Sequence, residues 1–378
     1  MKKKIGYWIY AFFFSVFRLF PRKKEKVFCV MTHDGSAGSS VGVVVNALKK
    51  RSDKYQFIYM KKNDRENAKA HVVKAFYSFF IEKPYHMATS SYILMDNVFL
   101  PMAYLHFHKD VKVVQLWHGT GTIKKFGQDS NVGEVKRLEY MANQKITHLI
   151  VNSEYTKEQY AQAFGVTKDH VYVWGLPRTD ELFSDTVKNQ KMGQFYKQYP
   201  ELKGKKLVLY APTFRDQEVE HPKMMLDMEY LENHTPEDIF YLVKLHPFVA
   251  KQYKETGSKR FLNVSSYEDI NTLLFVSDVL ITDYSSIIFE YAVLERPMIF
   301  YAYDLEEFSE EGRGFYEDYK NYVPGEVVTE TSQIAELLRS HKLSSQAAVQ
   351  FKNKSFAYLD GCSTDRFIDE IFYKWSYR

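Results

Sequence analysis

The sequence predicts an α/β protein made of two Rossmann-like domains that face each other across a cleft. After residue 26, strand-like apolar runs alternate with helix-like segments, which is typical of parallel βαβ units. A polar stretch, 181–206, interrupts this alternation near the middle, and 378 residues suit two domains of ordinary size. Ligands of such sheets bind beyond the carboxyl ends of the strands, so the residues that follow each strand are the candidates for a site.

The composition excludes some classes of function. Hydrophobic residues make up 45% of the chain, which supplies a core for both domains. A formal net charge of +4 is too small to indicate nucleic-acid binding, and no nucleic-acid partner is expected. Cys29 and Cys362 form neither a disulfide framework nor a CxxC metal pattern, which favours a reducing compartment.

The first 26 residues predict an amphipathic helix that associates with a membrane. Basic residues flank an apolar run, 5–20, which contains Arg18 and is shorter than the roughly 20 residues of a spanning helix. Tyr7, Trp8 and Tyr10 favour a bilayer interface. We therefore expect this helix to lie in, or partly enter, an anionic membrane face. The alternative is a helix that packs on the protein itself.

The rest of the chain divides into an N-terminal domain, 27–180, the linker 181–206, and a C-terminal domain, 207–350. A final helical segment, 351–378, is a candidate to pack back on the N-terminal domain. The strands predicted for the first domain are 26–33, 55–60, 111–118, 147–153 and 170–175. Those predicted for the second are 206–214, 239–247, 261–266, 278–285 and 296–303.

The first candidate loop, 32–40 (THDGSAGSS), has two glycines before a predicted helix. Ser39 and Ser40 lie where the first free N–H groups of that helix can hold a phosphate. The glycines do not fit G-x-G-x-x-G, and a plain tight turn explains them equally well.

The second candidate is the stretch LWHGTGTIKKFG, 116–127. His118 ends a predicted buried strand, where a histidine can accept a proton at neutral pH. Gly119 and Thr120, followed by Gly121, form a turn that allows the backbone to approach a ligand closely. A satisfied structural histidine is the alternative.

Three further strand ends carry polar residues. Arg215 follows a strand and suits a phosphate, with a surface ion pair to Asp216 as the alternative. His246 ends another strand, two residues after Lys244. A polar run at the start of a helix offers hydroxyl and N–H groups to an anion, and its members are Thr282, Asp283, Ser285 and Ser286. Glu290, one turn later, is a candidate for ribose hydroxyls, or it is simply solvated.

The strand ends show no HxH, HExxH or DxD cluster. We therefore expect no metal site and no tightly bound cofactor, while Mg²⁺ held weakly on a diphosphate is compatible with the sequence.

Several of these segments together resemble a known family. LWHGTGTIKKFG, GLPRTD, YAPTFRD, KLHP and DYSSIIFEYAVLERPMIFYAYDLEEF, followed by RGFYEDY and VPGEVV, are similar to segments of the CDP-glycerol glycerophosphotransferases of bacterial wall teichoic acid synthesis. The resemblance runs in matching order from about 118 to 328. Many members have WHGTPLKKLG where this chain has Gly121-Thr122-Ile123 and Phe126, which leaves the acceptor preference open.

The resemblance implies a GT-B fold and transfer of glycerol phosphate from CDP-glycerol, with release of CMP. The acceptor would be a hydroxyl of an undecaprenyl-diphosphate-linked disaccharide, and the chain length is similar to that of the primases. It also implies a peripheral enzyme on the cytoplasmic face of the cell membrane, with self-association allowed. The alternatives are a CDP-ribitol-dependent or polymerising member, a GT-B glycosyltransferase that uses a nucleotide sugar, and a non-catalytic membrane module.

The resemblance also implies roles for individual residues. His118 would be the general base, and His246 would steady the diphosphate or the leaving CMP. The donor would be bound by Arg215, Thr282, Asp283, Ser285, Ser286, Glu290 and Arg313. The acceptor or its phosphates would lie near Gly119, Thr120, Lys124 and Lys125. Ser39 and Ser40, outside the range of the resemblance, are candidates for the same contacts from their place before a helix alone.

Overall fold

The residues described by the computed structural model form two parallel β-sheets of six strands each. These residues are 2–62, 72–213, 215, 224–245, 247–250, 258–311, 314–340 and 343–374. They divide into two compact units. The first takes the residues up to Gly121, then Lys125–Asp180 and those from Phe356 onward, and the second takes Thr122–Lys124 and Glu181–Ser355.

The first unit is a doubly wound sheet with the strand order β2-β1-β3-β4-β5-β6. Its strands are β1 (Lys23–Met31), β2 (Gln56–Lys61), β3 (Ser90–Met95), β4 (Lys112–Gln115), β5 (His148–Val151) and β6 (Val171–Val173). Its helices are α1 (Lys2–Phe17), α2 (Ser40–Arg51), α3 (Val72–Tyr77), α4 (Lys83–Ala88), α5 (Gly133–Asn143) and α6 (Glu154–Phe164). The apolar runs of β1 and β3 are buried, as expected of strands covered on both faces.

Strand β3 was not among the predicted strands, although it lies between β1 and β4 in the sheet. The helical segment from Val72 to Ala88, with a π-helical turn at Ser78–Glu82, leads into β3 after only Thr89. Because no glycine or proline separates the helix from the strand, the sequence lacks the punctuation that usually marks such a boundary.

Helix α1 packs on the first unit through one face and leaves an apolar face exposed. Tyr10 and Phe14 are 0% and 1% exposed within the core. The outward face of α1 consists of Ile5, Trp8, Phe12 and Val16, which are 40–63% exposed. The alternative, a helix that packs on the protein itself, therefore holds for one face of α1. None of the helices within the described residues combines the length and the hydropathy needed to cross a membrane.

The second unit is a sheet with the strand order β12-β11-β10-β7-β8-β9. Its strands are β7 (Lys206–Tyr210), β8 (Ile239–Val243), β9 (Phe261–Asn263), β10 (Val279–Thr282), β11 (Met298–Tyr301) and β12 (Glu326–Val328). Its helices are α7 (Asp185–Gln198), α8 (Met228–His234), α9 (Pro247–Ala250), α10 (Ile270–Val276), α11 (Ile287–Val293), α12 (Leu305–Glu311), α13 (Tyr319–Tyr322), α14 (Thr331–Arg339) and α15 (Gln346–Ser355).

The stretch 181–206, expected as a linker, belongs to the second unit. It contains α7, whose Phe195 is fully buried in that unit's core, and Lys191 forms ion pairs with Glu181 (2.7 Å) and Asp269 (2.8 Å). Its polar composition reflects the exposed side of a helix rather than a free connection.

The C-terminal segment packs on the first unit. Helix α16 (Ser363–Ile368) and the π-helical turn Asp369–Tyr373 bury Phe367, Ile368, Ile371 and Phe372 beside β1, β3 and α2. The carboxylate of Asp180 accepts hydrogen bonds from the N–H groups of Ser363 and Thr364 at the start of α16. The residues of this segment therefore complete a core that begins at the other end of the chain.

Candidate active site

His118 lies in a loop, three residues after β4 ends at Gln115. The strand is shorter than expected, because Trp117 has a positive φ of 52° and turns the chain away from the sheet. The Trp117 N–H donates to the Gln115 side-chain oxygen at 3.0 Å. A left-handed backbone is rare for a bulky residue, and such strain collects at functional sites.

The ring of His118 is held in one tautomer. Its Nδ1 lies 2.8 Å from the carbonyl oxygen of Asp96. A carbonyl oxygen only accepts hydrogen bonds, so Nδ1 carries the proton and, in the neutral ring, Nε2 is the basic nitrogen. Burial, together with the neighbouring His33, lowers the pKa of His118 to about 3, so the ring is neutral at pH 7.

Asp96, directly after β3, organises this part of the unit. Its carboxylate accepts three N–H groups, from Thr32 (3.0 Å), His33 (3.2 Å) and Asp34 (2.9 Å). The side chain is 1% exposed, and burial raises its pKa to about 6 against the opposing effect of the three hydrogen bonds. Sequence reasoning missed Asp96 because it missed β3. An aspartate directly after the apolar run SYILM was the available signal.

His33 stacks on His118. The centroids of the two rings lie 3.6 Å apart with an interplanar angle of 11°. Burial lowers the pKa of His33 as well, and Arg178 and Lys62 act in the same direction. The loop 32–40, predicted to bind phosphate, thus places a second imidazole against that of His118. The glycine and serine content of the loop did not indicate this contact.

The turn after His118 is anchored by three side chains. Arg178 donates to the carbonyl oxygen of His118 at 2.6 Å, Tyr160 to that of Gly119 at 2.9 Å, and Asn152 to that of Thr120 at 3.1 Å. These bonds satisfy buried carbonyl groups and fix the path of the backbone. The turn is therefore held in place whether or not Gly119 and Thr120 contact an acceptor.

The loop 32–40 ends in the N-terminus of α2. Ser39 caps the helix by accepting from the Gly42 N–H at 3.1 Å. Ser40 is 1% exposed, and its hydroxyl has no hydrogen-bond partner among the residues that the structure describes. The Ser39 side chain therefore serves as the helix cap, whereas the buried hydroxyl of Ser40 is compatible with the predicted phosphate contact.

In the second unit, Arg215 bridges two carboxylates. It donates from Nε and Nη2 to Asp304 at 2.9 and 2.8 Å, and from Nη1 to Asp283 at 2.6 Å. Burial acts to lower the pKa of Arg215, but the bonds to Asp304 and Asp283 outweigh it and raise that pKa. The pairing differs from the surface pair with Asp216 that the sequence offered, and Asp216 lies outside the described residues.

The polar run after β10 divides into buried and half-buried members. Thr282 is 0% exposed and donates to the carbonyl oxygen of Ala211, and Asp283, 2% exposed, also accepts from the Thr213 N–H. Ser285 and Ser286 are half-buried just before α11. Glu290 is 7% exposed, so it is not the solvated residue that the alternative reading supposed.

Of the four remaining predicted residues, the structure describes two. His246 and Arg313 lie outside the described residues. Lys124 belongs to the second unit, where its ammonium lies 5.6 Å from the centroid of Phe308, while Lys125 is half-buried in the first unit. Within the described ranges no group of three or more His, Cys, Asp or Glu side chains is arranged to hold a metal ion. The expectation of no tightly bound cofactor stays a prediction.

Comparisons with known proteins agree with the motifs. Residues 11–373 match the family described as CDP-Glycerol:Poly(glycerophosphate) glycerophosphotransferase. A teichoic acid poly(ribitol-phosphate) polymerase of Bacillus spizizenii is 34% identical over 98% of this chain and 60% of its own length. The ribitol-phosphate polymerase TarK of Staphylococcus aureus is 35% identical over 76% of this chain and 58% of its own. The chain therefore spans about three fifths of these two relatives.

Other relatives and a solved structure extend the comparison. A teichoic acid glycerol-phosphate primase of Bacillus subtilis is 28% identical over 81% of this chain and 78% of its own length. The structure of the wall teichoic acid polymerase TagF superposes with a TM-score of 0.80 at 24% identity, covering 97% of this chain and 93% of that one. This likeness confirms the expected GT-B type of fold. The chain belongs to the CDP-glycerol:poly(glycerophosphate) glycerophosphotransferase family.

Proposed function

We propose that this chain transfers the polyol phosphate of a CDP-linked alcohol to a hydroxyl of an undecaprenyl-diphosphate-linked acceptor and releases CMP. The observation that carries the proposal is the held tautomer of His118. With Nδ1 bonded to the Asp96 carbonyl oxygen and the ring neutral, Nε2 is ready to accept a proton.

The reaction is an in-line phosphoryl transfer. The acceptor oxygen attacks the β-phosphorus of the CDP-alcohol while Nε2 of His118 takes the hydroxyl proton. The bond from that phosphorus to the bridging oxygen breaks, and CMP leaves with the bridging oxygen. Such reactions depend chiefly on positioning and on stabilising charge. A pKa near 3 makes a weak base, and the negative charge of a bound diphosphate raises the pKa toward a useful value.

The second unit supplies the donor side in this proposal. Ser285 and Ser286, half-buried before α11, bind the CMP phosphate, and Glu290 binds the ribose. Arg215, Thr282 and Asp283 act mainly by holding the loops after β7 and β10, because their polar atoms already bond within the fold. His246 and Arg313 keep the roles that the family resemblance implies.

Two donors compete within this chemistry. The sequence prediction was CDP-glycerol in a primase reaction. The ribitol-phosphate polymerases above are 34–35% identical to this chain, whereas the glycerol-phosphate primase is 28% identical, which favours CDP-ribitol. The two donors are therefore to be compared directly.

The outward face of α1 supports peripheral attachment to the cytoplasmic face of the cell membrane. The basic residues Arg22, Lys23 and Lys24 follow the helix in the sequence, so we expect apolar insertion and attraction to anionic lipid to act together. Such attachment places the enzyme beside a lipid-linked acceptor. Self-association of the enzyme stays a prediction.

The test is CMP release from CDP-glycerol, CDP-ribitol and, as a control, a UDP-sugar, with a short-chain analogue of the lipid-linked disaccharide and the product mass measured. We expect activity with a CDP-alcohol and a fall of about 10²–10⁴-fold in kcat for His118→Ala, with donor binding retained. His106→Ala, on an exposed histidine of the same unit, is the matched control and should retain the wild-type rate. Wild-type turnover in His118→Ala, or turnover only with the UDP-sugar, would refute the proposal.

A further inference from the structure

We propose that His33 is a positioning residue for the transfer: its imidazole, stacked on that of His118, fixes the plane in which Nε2 of His118 meets the acceptor hydroxyl. The inference deepens the proposed function and rests on it, because it assigns a role within the same reaction.

The stack is held from both sides by a single residue. The His33 N–H donates to the Asp96 carboxylate at 3.2 Å, while His118 Nδ1 donates to the Asp96 carbonyl oxygen at 2.8 Å. Strands β1, β3 and β4 are neighbours in the sheet, so the residues that follow them meet at one edge. Asp96 therefore fixes the position of the His33 backbone relative to Nδ1 of His118.

The hydrogen bond at Nδ1 does not by itself fix the ring plane. The second side-chain torsion of histidine has a broad, roughly two-fold profile, and one acceptor allows the ring to swing about the hydrogen bond. A face-to-face neighbour at 3.6 Å removes much of this freedom. A misplacement of about 1 Å in a reacting group costs on the order of 10²-fold in rate, so restricting the swing has a kinetic value.

Burial is the main reason why both rings of the stack are neutral. Lys62 after β2 and Arg178 after β6 lower the pKa of His33 further, whereas Asp34 on its own loop raises it, and the Asp96 carboxylate is bonded to the His33 N–H. A proton on either ring disfavours a proton on the other. The stack therefore helps to keep His118 in the form that accepts a proton, in addition to fixing its plane.

Two substitutions distinguish the effect of the flat His33 ring from the effect of its nitrogen atoms. His33→Phe keeps a flat ring but removes the nitrogens, whereas His33→Ala removes the ring. His148→Ala is the matched control, because His148 also stacks on a ring, that of Tyr172 (4.8 Å, 25°), but begins β5 at the amino end of the sheet. All three proteins are assayed for kcat, donor KM and thermal unfolding, and the ring of His118 is titrated by NMR.

We expect His33→Ala to lower kcat about 10–100-fold with the donor KM unchanged within a factor of two, and to raise the pKa of His118. His33→Phe should stay within about three-fold of wild type and keep the pKa of His118 low, and His148→Ala should leave kcat unchanged. The inference is overturned if His33→Ala turns over at the wild-type rate, or if His33→Phe loses as much activity as His33→Ala.

The NMR titration separates failure of this inference from failure of the proposed function. If the wild type transfers neither glycerol phosphate nor ribitol phosphate, the proposed function fails, and the titration still decides whether His33 controls the His118 ring. A pKa of His118 that is the same in wild type and His33→Ala would then refute the control by His33.

Discussion

Asp96 is the residue on which the site depends most, since it binds the loop of His33 through its side chain and the ring of His118 through its backbone. Its pKa is raised from 3.8 to about 6 in the folded protein. Ionising it in the fold therefore costs about 3 kcal/mol more than in the unfolded chain. This difference gives the residue a specific signature in the dependence of stability on pH.

We predict that Asp96 makes folding less favourable as pH rises from about 4 to about 6. A raised pKa stabilises the fold below the unfolded value of 3.8, and that contribution is lost as pH rises through the folded value near 6. Asp96→Asn does not ionise, so the free energy of unfolding of wild type relative to the variant should fall by up to about 3 kcal/mol over this range. Denaturant unfolding at pH 4, 5, 6 and 7 measures it; a constant difference would contradict the prediction.

Arg215 acts in the second unit as Asp96 does in the first, by joining the residues after three strands. We predict that Arg215→Lys lowers the free energy of unfolding by about 2–4 kcal/mol, because a lysine cannot bridge Asp283 and Asp304 and leaves a buried carboxylate poorly paired. Arg137→Lys, in an exposed pair with Glu134, is the control and should leave the free energy of unfolding almost unchanged, because solvent screens that pair. Urea unfolding compares the two. Equal effects would show that the bridge is not structural.

At the scale of the element, the start of α2 depends on the absence of a side chain at Gly42. A Cβ there would lie 2.4 Å from the Ser36 carbonyl oxygen and 2.8 Å from that of Ala37. We predict that Gly42→Ala destabilises the protein by about 1–3 kcal/mol, despite the better helix propensity of alanine.

Gly193 on α7 provides the matched comparison, because a Cβ there would meet nothing within 4 Å. Gly193→Ala should be neutral or stabilising by up to about 1 kcal/mol. Thermal unfolding of both variants decides the matter, and a Gly42→Ala protein as stable as Gly193→Ala would show that the loop yields easily.

The outward face of α1 should carry the attachment to lipid. We predict that the double substitution Trp8→Ser and Phe12→Ser weakens binding to anionic vesicles about 10–100-fold, since two half-exposed aromatic rings no longer enter the bilayer. Stability should be kept, because neither ring lies in the core. Leu359→Ser, which removes an exposed apolar side chain elsewhere in the unit, is the control. Vesicle sedimentation measures the partition, and unchanged binding of the double variant would exclude this face.

For the whole molecule, much of the architecture could be predicted from periodicity. The alternation of apolar runs and helical segments indicated two α/β halves, and the solved TagF structure confirms the fold. Strand β12 was not among the predicted strands, and two further features escaped. Strand β3 follows a helix without a break in the sequence, and α7 looks like a linker because only Phe195 is buried among its residues. In both cases tertiary burial, rather than local pattern, decides the structure.

The candidate site could be predicted as a set of strand ends but not as a set of contacts. The order β2-β1-β3-β4 brings His33, Asp96 and His118 together, and the order β11-β10-β7 does the same for Asp304, Asp283 and Arg215. Strand order is a long-range property that no local pattern records. The sequence therefore indicated His118 and Arg215 as candidates, but the partner it suggested for Arg215 was Asp216, the next residue in the chain.

The exposure of Trp8 gives the molecule an optical reporter of its own environment. The indole is 57% exposed on the outward face of α1, whereas Trp117 and Trp174 are half-buried within the first unit. In water its fluorescence is red-shifted and open to collisional quenching by iodide. Contact with acyl chains shifts the emission to the blue and protects it from iodide, while brominated lipid quenches it according to depth. If α1 enters a bilayer as proposed, the Trp8 signal therefore reports the depth of insertion without an added label.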